Sequence, residues 1–346
     1  MLLPFLHKIA ASEDLSADEA REAMLAILSG AATTPQISAF LMGLRMKGET
    51  PGELLGFARA MREKTVRIDA CVEPEPLLDT CGTGGGAGST FNISTVAAFV
   101  VAGAGARVAK HGNRSFSGQC GSADILEHLG VEVYQPTERV AQAIREIGIG
   151  FLFAPLLHPA MRHAQAARLE LKMRTVFNLL GPLTNPAGAT RQLIGAPSAR
   201  TAELLANALA GLEPERAFVV HGGVNGNAGL DEVTTSGATL VFEIARDEVR
   251  SFEWTPADFG VPEADIEELR GGDRPRNAEI ATAVLQGQSG AQRDIVLVNS
   301  AAALLASGLV DNLRDGMDRA ARSIDSGAAW AKLQKLAEFN RTKPED

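Results

Sequence analysis

Residues 79–95 read Asp-Thr-Cys-Gly-Thr-Gly-Gly-Gly-Ala-Gly-Ser-Thr-Phe-Asn-Ile-Ser-Thr, with glycine at five of the seven positions from Gly82 to Gly88. The short apolar segment Pro76-Leu77-Leu78 precedes the run, and Val96 to Ala106, with almost nothing polar, follows it. That order predicts a strand, a glycine loop and a buried helix. Glycines at this density cost backbone entropy, so the loop needs an approach that side chains would block. Successive N–H groups can then converge on one anion, and the N-terminus of the next helix adds a partial positive charge. Asn92, Ser94 and Thr95 at the helix mouth add donors or oxygen ligands. The stretch reads as a cradle for phosphate or pyrophosphate. It is not a Walker loop, because no Gly-Lys-Ser/Thr closes it, and its spacing is not that of the dinucleotide fingerprint.

The rest of the chain supplies a sheet for such a loop. Residues 1–70 read as consecutive helices. Ser16-Ala17-Asp18-Glu19 is a capping box whose helix ends near Ser29-Gly30; Thr34-Pro35 opens a second helix that Gly48 closes, and Thr50-Pro51 opens a third. Nothing chemical stands out there, and a packing or dimer surface is the expectation. From residue 76 short apolar strands alternate with helices. Strands are expected at Arg107–Lys110, Val131–Tyr134, Gly150–Phe153, Gln192–Ala196 and Ala217–His221, and helices at Ser122–Leu129, Thr137–Ile147 and Ala202–Leu212. An antiparallel excursion is expected from Leu240 to Trp254, then two alanine-rich helices near Asn277–Gln286 and Asp294–Ala306. The fold class is therefore α/β: a small N-terminal helical domain over residues 1–70 and a larger α/β domain over 71–346, with a mostly parallel central sheet flanked by helices. Ligands in such sheets collect at the strand carboxyl ends, where the glycine loop lies.

Bulk composition excludes several classes. With 42 acidic against 33 basic residues, the formal charge of −9 opposes a broad nucleic-acid footprint, so any bound anion must be held by local geometry. Cys71, Cys81 and Cys120 have no paired or metal-like spacing, which points to a reducing cytoplasm. The N-terminal residues lack the pattern of a signal peptide, and the apolar run after the glycine loop is too short to span a bilayer.

Three further clusters could carry chemistry. Lys110-His111-Gly112-Asn113-Arg114-Ser115-Phe116-Ser117, followed by Gly121-Ser122-Ala123-Asp124, is a second loop between strand and helix. Lys110, Arg114 and the Ser117 hydroxyl suit a phosphomonoester, and Ser122 suits either a ligand or a helix cap. His158 to His163 carries no carboxylate at helical spacing, so a zinc site is not expected. Arg168 on the following helix could face a carboxylated ligand or solvent, and Gly181-Pro182-Leu183-Thr184-Asn185-Pro186 forms a rigid loop fit for a pocket wall. Asp231-Glu232 follows a strand and suits Mg²⁺, which keeps waters and bridges to phosphates. No nucleophile has an adjacent base, which favours a reaction driven by positioning and charge stabilisation.

Together these runs resemble the anthranilate phosphoribosyltransferases. Gly82-Thr83-Gly84-Gly85, Thr90 to Thr95, Lys110 to Arg114, Gly121 to Asp124, Phe153-Ala154-Pro155, His158 to Met161, Arg174-Thr175, Phe177 to Pro186 and Leu230-Asp231-Glu232 occur in the order of that family. The resemblance implies a cytoplasmic homodimer joined through the helical domain, to which a segment near 165–185 also belongs, with the active site between the domains. It implies transfer of the phosphoribosyl group of 5-phosphoribosyl 1-pyrophosphate (PRPP) to the amine of anthranilate, with Mg²⁺. PRPP would be bound by Gly82, Thr83, Gly84, Gly85, Thr90, Asn92, Ser94, Thr95, Lys110 and Ser122. Anthranilate would be bound by Gly82, His111, Asn113, His158, Arg168 and Gly181, and the metal by Ser94, Asp231 and Glu232. A membrane or nucleic-acid partner is not implied, and association with an anthranilate synthase component is left open. Four positions depart from the family pattern. Gly86 stands where Asp is usual, Ala166-Ala167 replaces Pro-Val before Arg168, and Lys172 replaces a common Gly. Rival expectations are a pyrimidine nucleoside phosphorylase and a non-catalytic paralogue that binds PRPP or nucleic acid.

Overall fold

The computed structural model describes residues 1–70, 75–84, 90–115, 120–224 and 227–341. The chain opens with four helices, α1 (Leu3–Ala10), α2 (Ala17–Leu28), α3 (Thr34–Lys47) and α4 (Pro51–Lys64). The last three begin at capping boxes. Ser16, Thr33 and Thr50 each accept from the N–H three residues on, while Glu19, Gln36 and Glu53 accept from the cap residue's own N–H. The cap of α3 is Thr33, one residue ahead of the expected Thr34-Pro35 start. Glu53 is wholly buried, and it also accepts from Leu15 N at 3.0 Å and Lys47 Nζ at 3.0 Å, tying α4 to the entrance of α2. The two helices approach so closely that any Cβ at Gly56 would overlap Ala17 O.

The α/β part follows as β1 (Leu77–Gly82), α5 (Ile93–Gly103), β2 (Arg107–Gly112), α6 (Ser122–His128), α7 (Thr137–Ile147) and β3 (Ile149–Phe153). Next come α8 (Ala154–Leu157), α9 (Arg162–Leu171), α10 (Phe177–Leu180), β4 (Arg191–Gly195), α11 (Ala199–Ala210), β5 (Arg216–Val224), β6 (Asn227–Leu230), β7 (Thr239–Ala245) and β8 (Glu248–Trp254). Helices α12 (Pro256–Phe259), α13 (Arg274–Leu285), α14 (Ala291–Ser307), α15 (Leu313–Asp325) and α16 (Ala328–Arg341) complete it. The sheet runs in the order β3-β2-β1-β4-β5-β7-β8, with β6 paired to β5. Strands β1 to β5 are parallel, and β6, β7 and β8 join antiparallel. The expected antiparallel excursion is thus the β7–β8 hairpin.

Alternate residues on the central strands feed opposite faces of the sheet. Leu193, Phe218 and Val220 face α5, α14, α15 and α16, whereas Ile194, Ala217 and Val219 face α11, α9, α10 and the four N-terminal helices. Helix α5 is apolar all round because it lies between the sheet and α14, α15 and α16. One expected strand is absent: Val131–Tyr134 is an irregular connection between α6 and α7. Its alternation is real, since Val131 and Val133 are buried, but β3 already occupies the edge of β2. Glu132 O instead accepts from Asn340 Nδ2 on α16 at 2.8 Å.

Connections from β1 run through α5 on one face, and those from β4 through α11 on the other. The two strands are adjacent, with Gly82 paired to Gly195 at their carboxyl ends. This is the switch point of an open parallel sheet, where a crevice opens for ligands.

Candidate active site

The crevice is closed on one side by the turn after β6. Residues Asp231 and Glu232 return across the ends of β1 and β4, and the approach needs glycine beneath it. A Cβ at Gly195 would overlap Asp231 O, and one at Gly82 would lie 3.1 Å from Asp231 Oδ2. Glu232 then reaches the first turn of α5, where its Oε1 accepts Ser94 N–H at 3.2 Å. Burial pushes its carboxyl up to about 8, and the Asp231 charge adds to that rise. Asn299 on α14 holds the turn in place: its side chain accepts from Val233 N at 2.9 Å and donates to Val233 O at 2.8 Å.

The described part of the glycine run continues from β1. Thr83 N donates to Gly195 O at 3.1 Å, extending the β1–β4 ladder, and Thr83 O accepts from Arg174 at 3.0 Å. Among the described residues the buried Thr83 hydroxyl has no hydrogen-bond partner. Gly84 has φ of 68°, a left-handed turn that favours glycine. Thr90 bridges to Arg270, and Thr95 is buried within α5. Gly85, Gly86 and Ser117 lie outside the described residues.

Asn92 links the two phosphate-type loops. Its Nδ2 donates to Cys120 O at 3.1 Å, and its Oδ1 accepts from Asn277 Nδ2 at 3.0 Å. Asn277 is itself oriented by Gly272 N–H at 2.8 Å. In the second loop Ser122 is the first residue of α6 and not its cap, which is Gly121. The Ser122 hydroxyl accepts from Asn113 N and donates to Asn113 O, both at 3.2 Å, pinching the loop shut. The expectation that Arg114 faces a phosphate is corrected. Its guanidinium bonds Glu127 at 2.6 and 2.7 Å and Asp124 at 3.1 Å and lies over the Phe153 ring, so its charge is already matched. Asp124 also takes Arg274 from α13 at 2.8 Å and the backbone N–H groups of Ser115 and Gly121.

Lys110 points into the molecule, where its Nζ donates to Thr80 O at 2.6 Å. Burial holds the ammonium below the ordinary lysine range, against the opposing pull of Asp79. Asp79 splays β1 from β2. It accepts from His111 N at 3.1 Å and from Asn185 Nδ2 at 2.7 Å, where a ladder bond would otherwise form.

Of the residues expected for an aromatic substrate, His111, His158 and Gly181 meet beside this wedge. His111 is the penultimate residue of β2 and His158 follows α8; their Nε2 atoms are 3.2 Å apart. His111 Nδ1 lies 3.2 Å from Gly181 O. Burial lowers His111 to about 3 and His158 to about 4, so both rings are neutral. Arg168 on α9 stands 5.4 Å over the Phe177 ring, its charge disfavoured by burial. A Cβ at Gly181 would meet no atom within 4 Å, so space is open there. Sequence reasoning missed Asp79, Asn185, Asn277 and Asn299. The available signal was a lone amide in an apolar helix, as for Asn299 in α14.

Two family models match the chain: the helical bundle domain of a glycosyl transferase family over residues 3–65, and its α/β domain over residues 74–330. The anthranilate phosphoribosyltransferase of Solibacter usitatus is 58% identical over 338 residues, covering 98% of each chain. That of Moorella thermoacetica is 50% identical, covering 97% of each. The crystal structure of the Thermus thermophilus enzyme matches with a TM-score of 0.90 at 41% identity, covering 97% of this chain and 99% of that one. The Saccharomyces cerevisiae enzyme in complex with PRPP and Mg matches at 0.88 and 29% identity, covering 98% and 97%.

Proposed function

The chain belongs to the anthranilate phosphoribosyltransferase family, and from that membership we propose that it transfers the phosphoribosyl group of PRPP to anthranilate in tryptophan biosynthesis. The amine lone pair forms the N–C1′ bond while the C1′–O bond to pyrophosphate breaks, its electron pair leaving on the pyrophosphate oxygen. The ribose carbon passes through an oxocarbenium-like state, as glycosyl centres do. The aromatic amine is neutral at ordinary pH and gives its proton up after attack, so a strong base is not required. The observation that carries the reading is the Asp231–Glu232 pair seated on Ser94 N–H at the switch point, directly above the strand that enters the glycine loop.

The donors suit Mg²⁺. Asp231, Glu232 and the Ser94 hydroxyl are hard oxygen ligands, and a buried carboxyl driven to about 8 beside a second one is relieved by a divalent cation. Among the described residues no cluster of three or more His, Cys, Asp and Glu could hold a metal alone, in keeping with an ion that completes its sphere from substrate phosphates. When bound, it would offset charge on the departing pyrophosphate. In this reading Gly82, Thr83, Gly84, Gly85, Thr90, Asn92, Ser94 and Thr95 serve the pyrophosphate. Lys110 and Ser122 shape the ribose-phosphate side from behind. Gly82, His111, Asn113, His158, Arg168 and Gly181 line the anthranilate path, with Arg168 toward its carboxylate. The same reading includes a homodimer through the helical domain and a cytoplasmic setting, in keeping with the unpaired thiols of Cys81 and Cys120.

The test is the fall in anthranilate fluorescence on addition of PRPP across a range of Mg²⁺. Turnover abolished by Asp231→Asn or Glu232→Gln supports the reading. Phosphate-dependent release of base from thymidine or uridine, without anthranilate turnover, would replace it with a nucleoside phosphorylase. Because Gly86 stands where the family usually has Asp, Gly86→Asp is expected to lower the Mg²⁺ needed for half-maximal rate, and superimposable titrations would count against that role.

A further inference from the structure

Four close contacts join two backbone carbonyls through three side chains. Thr65 Oγ1 lies 2.7 Å from Met61 O and 3.0 Å from His158 Nδ1. The two Nε2 atoms are 3.2 Å apart, and His111 Nδ1 is 3.2 Å from Gly181 O. Each hydrogen bond needs one proton, and the terminal carbonyls can only accept. Burial holds both rings neutral. The Thr65 hydroxyl brings one proton and each ring one N–H, three protons for the four contacts.

The distribution follows from the geometry. Thr65 follows α4, and its hydroxyl donates back to Met61 O, the shortest of the four contacts. Its oxygen then accepts His158 Nδ1–H, and His158 Nε2 accepts His111 Nε2–H. At 3.2 Å the last contact is joint longest of the four, and a missing proton costs least there. His111 Nδ1 and Gly181 O face each other as two acceptors beside the open space at Gly181; Gly181 O already takes the Thr184 N–H at 3.2 Å and shares the Thr184 hydroxyl at 3.3 Å, so the unfilled acceptor is His111 Nδ1.

We propose that Thr65 is a positioning residue for the aromatic substrate: its hydroxyl holds both rings in the tautomers that leave His111 Nδ1 as an acceptor for an N–H donor. The inference rests on the anthranilate reading above, since the anthranilate amine is that donor. Thr65→Val keeps the side chain's shape and removes the acceptor for His158 Nδ1–H. Both rings then gain by exchanging tautomers, so that His158 Nε2–H donates to His111 and His111 Nδ1–H donates to Gly181 O, which removes the Nδ1 acceptor.

Long-range ¹H–¹⁵N imidazole spectra of the full-length protein read the tautomers directly. The parent and Thr65→Ser are expected to show His158 Nδ1–H and His111 Nε2–H, and Thr65→Val the reverse. In steady-state kinetics Thr65→Val is expected to raise the anthranilate KM by about three- to tenfold, the worth of one hydrogen bond, with most of the loss recovered in Thr65→Ser. The PRPP KM should move by less than about twofold, as for a site that shares no contact. A parent with His111 protonated at Nδ1, tautomers indifferent to Thr65→Val, or KM values that rise together for both substrates would overturn the proposal. The last pattern is what loss of a helix end alone produces. If the parent does not turn over anthranilate, the reaction reading fails, while the spectra still decide the tautomers.

Discussion

Glu232 gives the site a pH signature. Burial, and after it the Asp231 charge, raises its carboxyl to about 8, against the pull of Lys110 and the Ser94 N–H. A carboxyl raised on folding binds its proton more tightly folded than unfolded. Its contribution is therefore full below the ordinary carboxylate range and is lost as pH rises toward about 8. Urea unfolding of the metal-free protein should show stability falling between about pH 5 and pH 8. Glu232→Gln should flatten that fall, leaving the variant more stable than the parent at the upper end by on the order of 1 kcal/mol or more. Parallel profiles for the two proteins would remove Glu232 as the source. Gly181 makes a different kind of prediction. Its φ of −50° is open to any residue, and an added Cβ meets only space. Gly181→Ala should thus leave the unfolding midpoint within about 0.5 kcal/mol of the parent. The same methyl would occupy the substrate path, so the anthranilate KM should rise while the PRPP KM holds. A large loss of stability would mean that the space is filled.

At the scale of elements, α13 is the piece whose function composition hides. Its start reaches both phosphate-type loops, through Asn277 to Asn92 and through Arg274 to Asp124. Asn277→Ala would leave Asn92 Oδ1 and Gly272 N–H without their partner, at a cost of about 1–3 kcal/mol. The freed Asn92 should raise the PRPP KM more than the anthranilate KM, and equal rises in steady-state assays would make Asn277 a stabilising contact only. Lys172 offers an opposite sign. It ends α9 with φ of 48°, a left-handed conformation costly for a side chain. Lys172→Gly should therefore raise stability by about 0.5–1 kcal/mol in urea titrations. Much of this framework was legible because local chemistry reports itself: Ser16, Thr50 and Gly48 mark helix ends, and the glycine run marks the strand-to-helix turn. The false strand at Val131–Tyr134 shows where local pattern stops. Alternation reports burial, and whether a ladder partner exists depends on β3, which follows later in the chain. Strand order is non-local for the same reason. The switch between β1 and β4, and the return of Asp231 onto Gly195, could be inferred as a neighbourhood but not as a contact. Arg114 misled because charge pattern names a cation without naming its partner, here Glu127.

The whole molecule couples its two parts through one core. Helices α1–α4 do not sit apart from the sheet; they share buried residues with α9, α10, α11 and the strand residues Ile194 and Val219. Thr65 at the end of α4 touches His158, and Arg62 Nε donates to Leu183 O at 2.7 Å, so the helical layer reaches the wall that carries Gly181. An association through that layer would be felt at the site. Leu3 on α1 and Met46 on α3 remain exposed, 41% and 81%, on helices that pack on each other. If they lie in the homodimer interface, sedimentation equilibrium should return about twice the 36.4 kDa chain mass for the parent. Leu3→Asp with Met46→Lys should return the single-chain mass with an unchanged far-ultraviolet spectrum, because neither side chain supports the core. Such a monomer should also lose anthranilate affinity before PRPP affinity, since the layer abuts the His158 side of the crevice and not the glycine loop. A parent that sediments as a monomer would remove the homodimer, and a double variant that stays dimeric would move its interface away from α1 and α3.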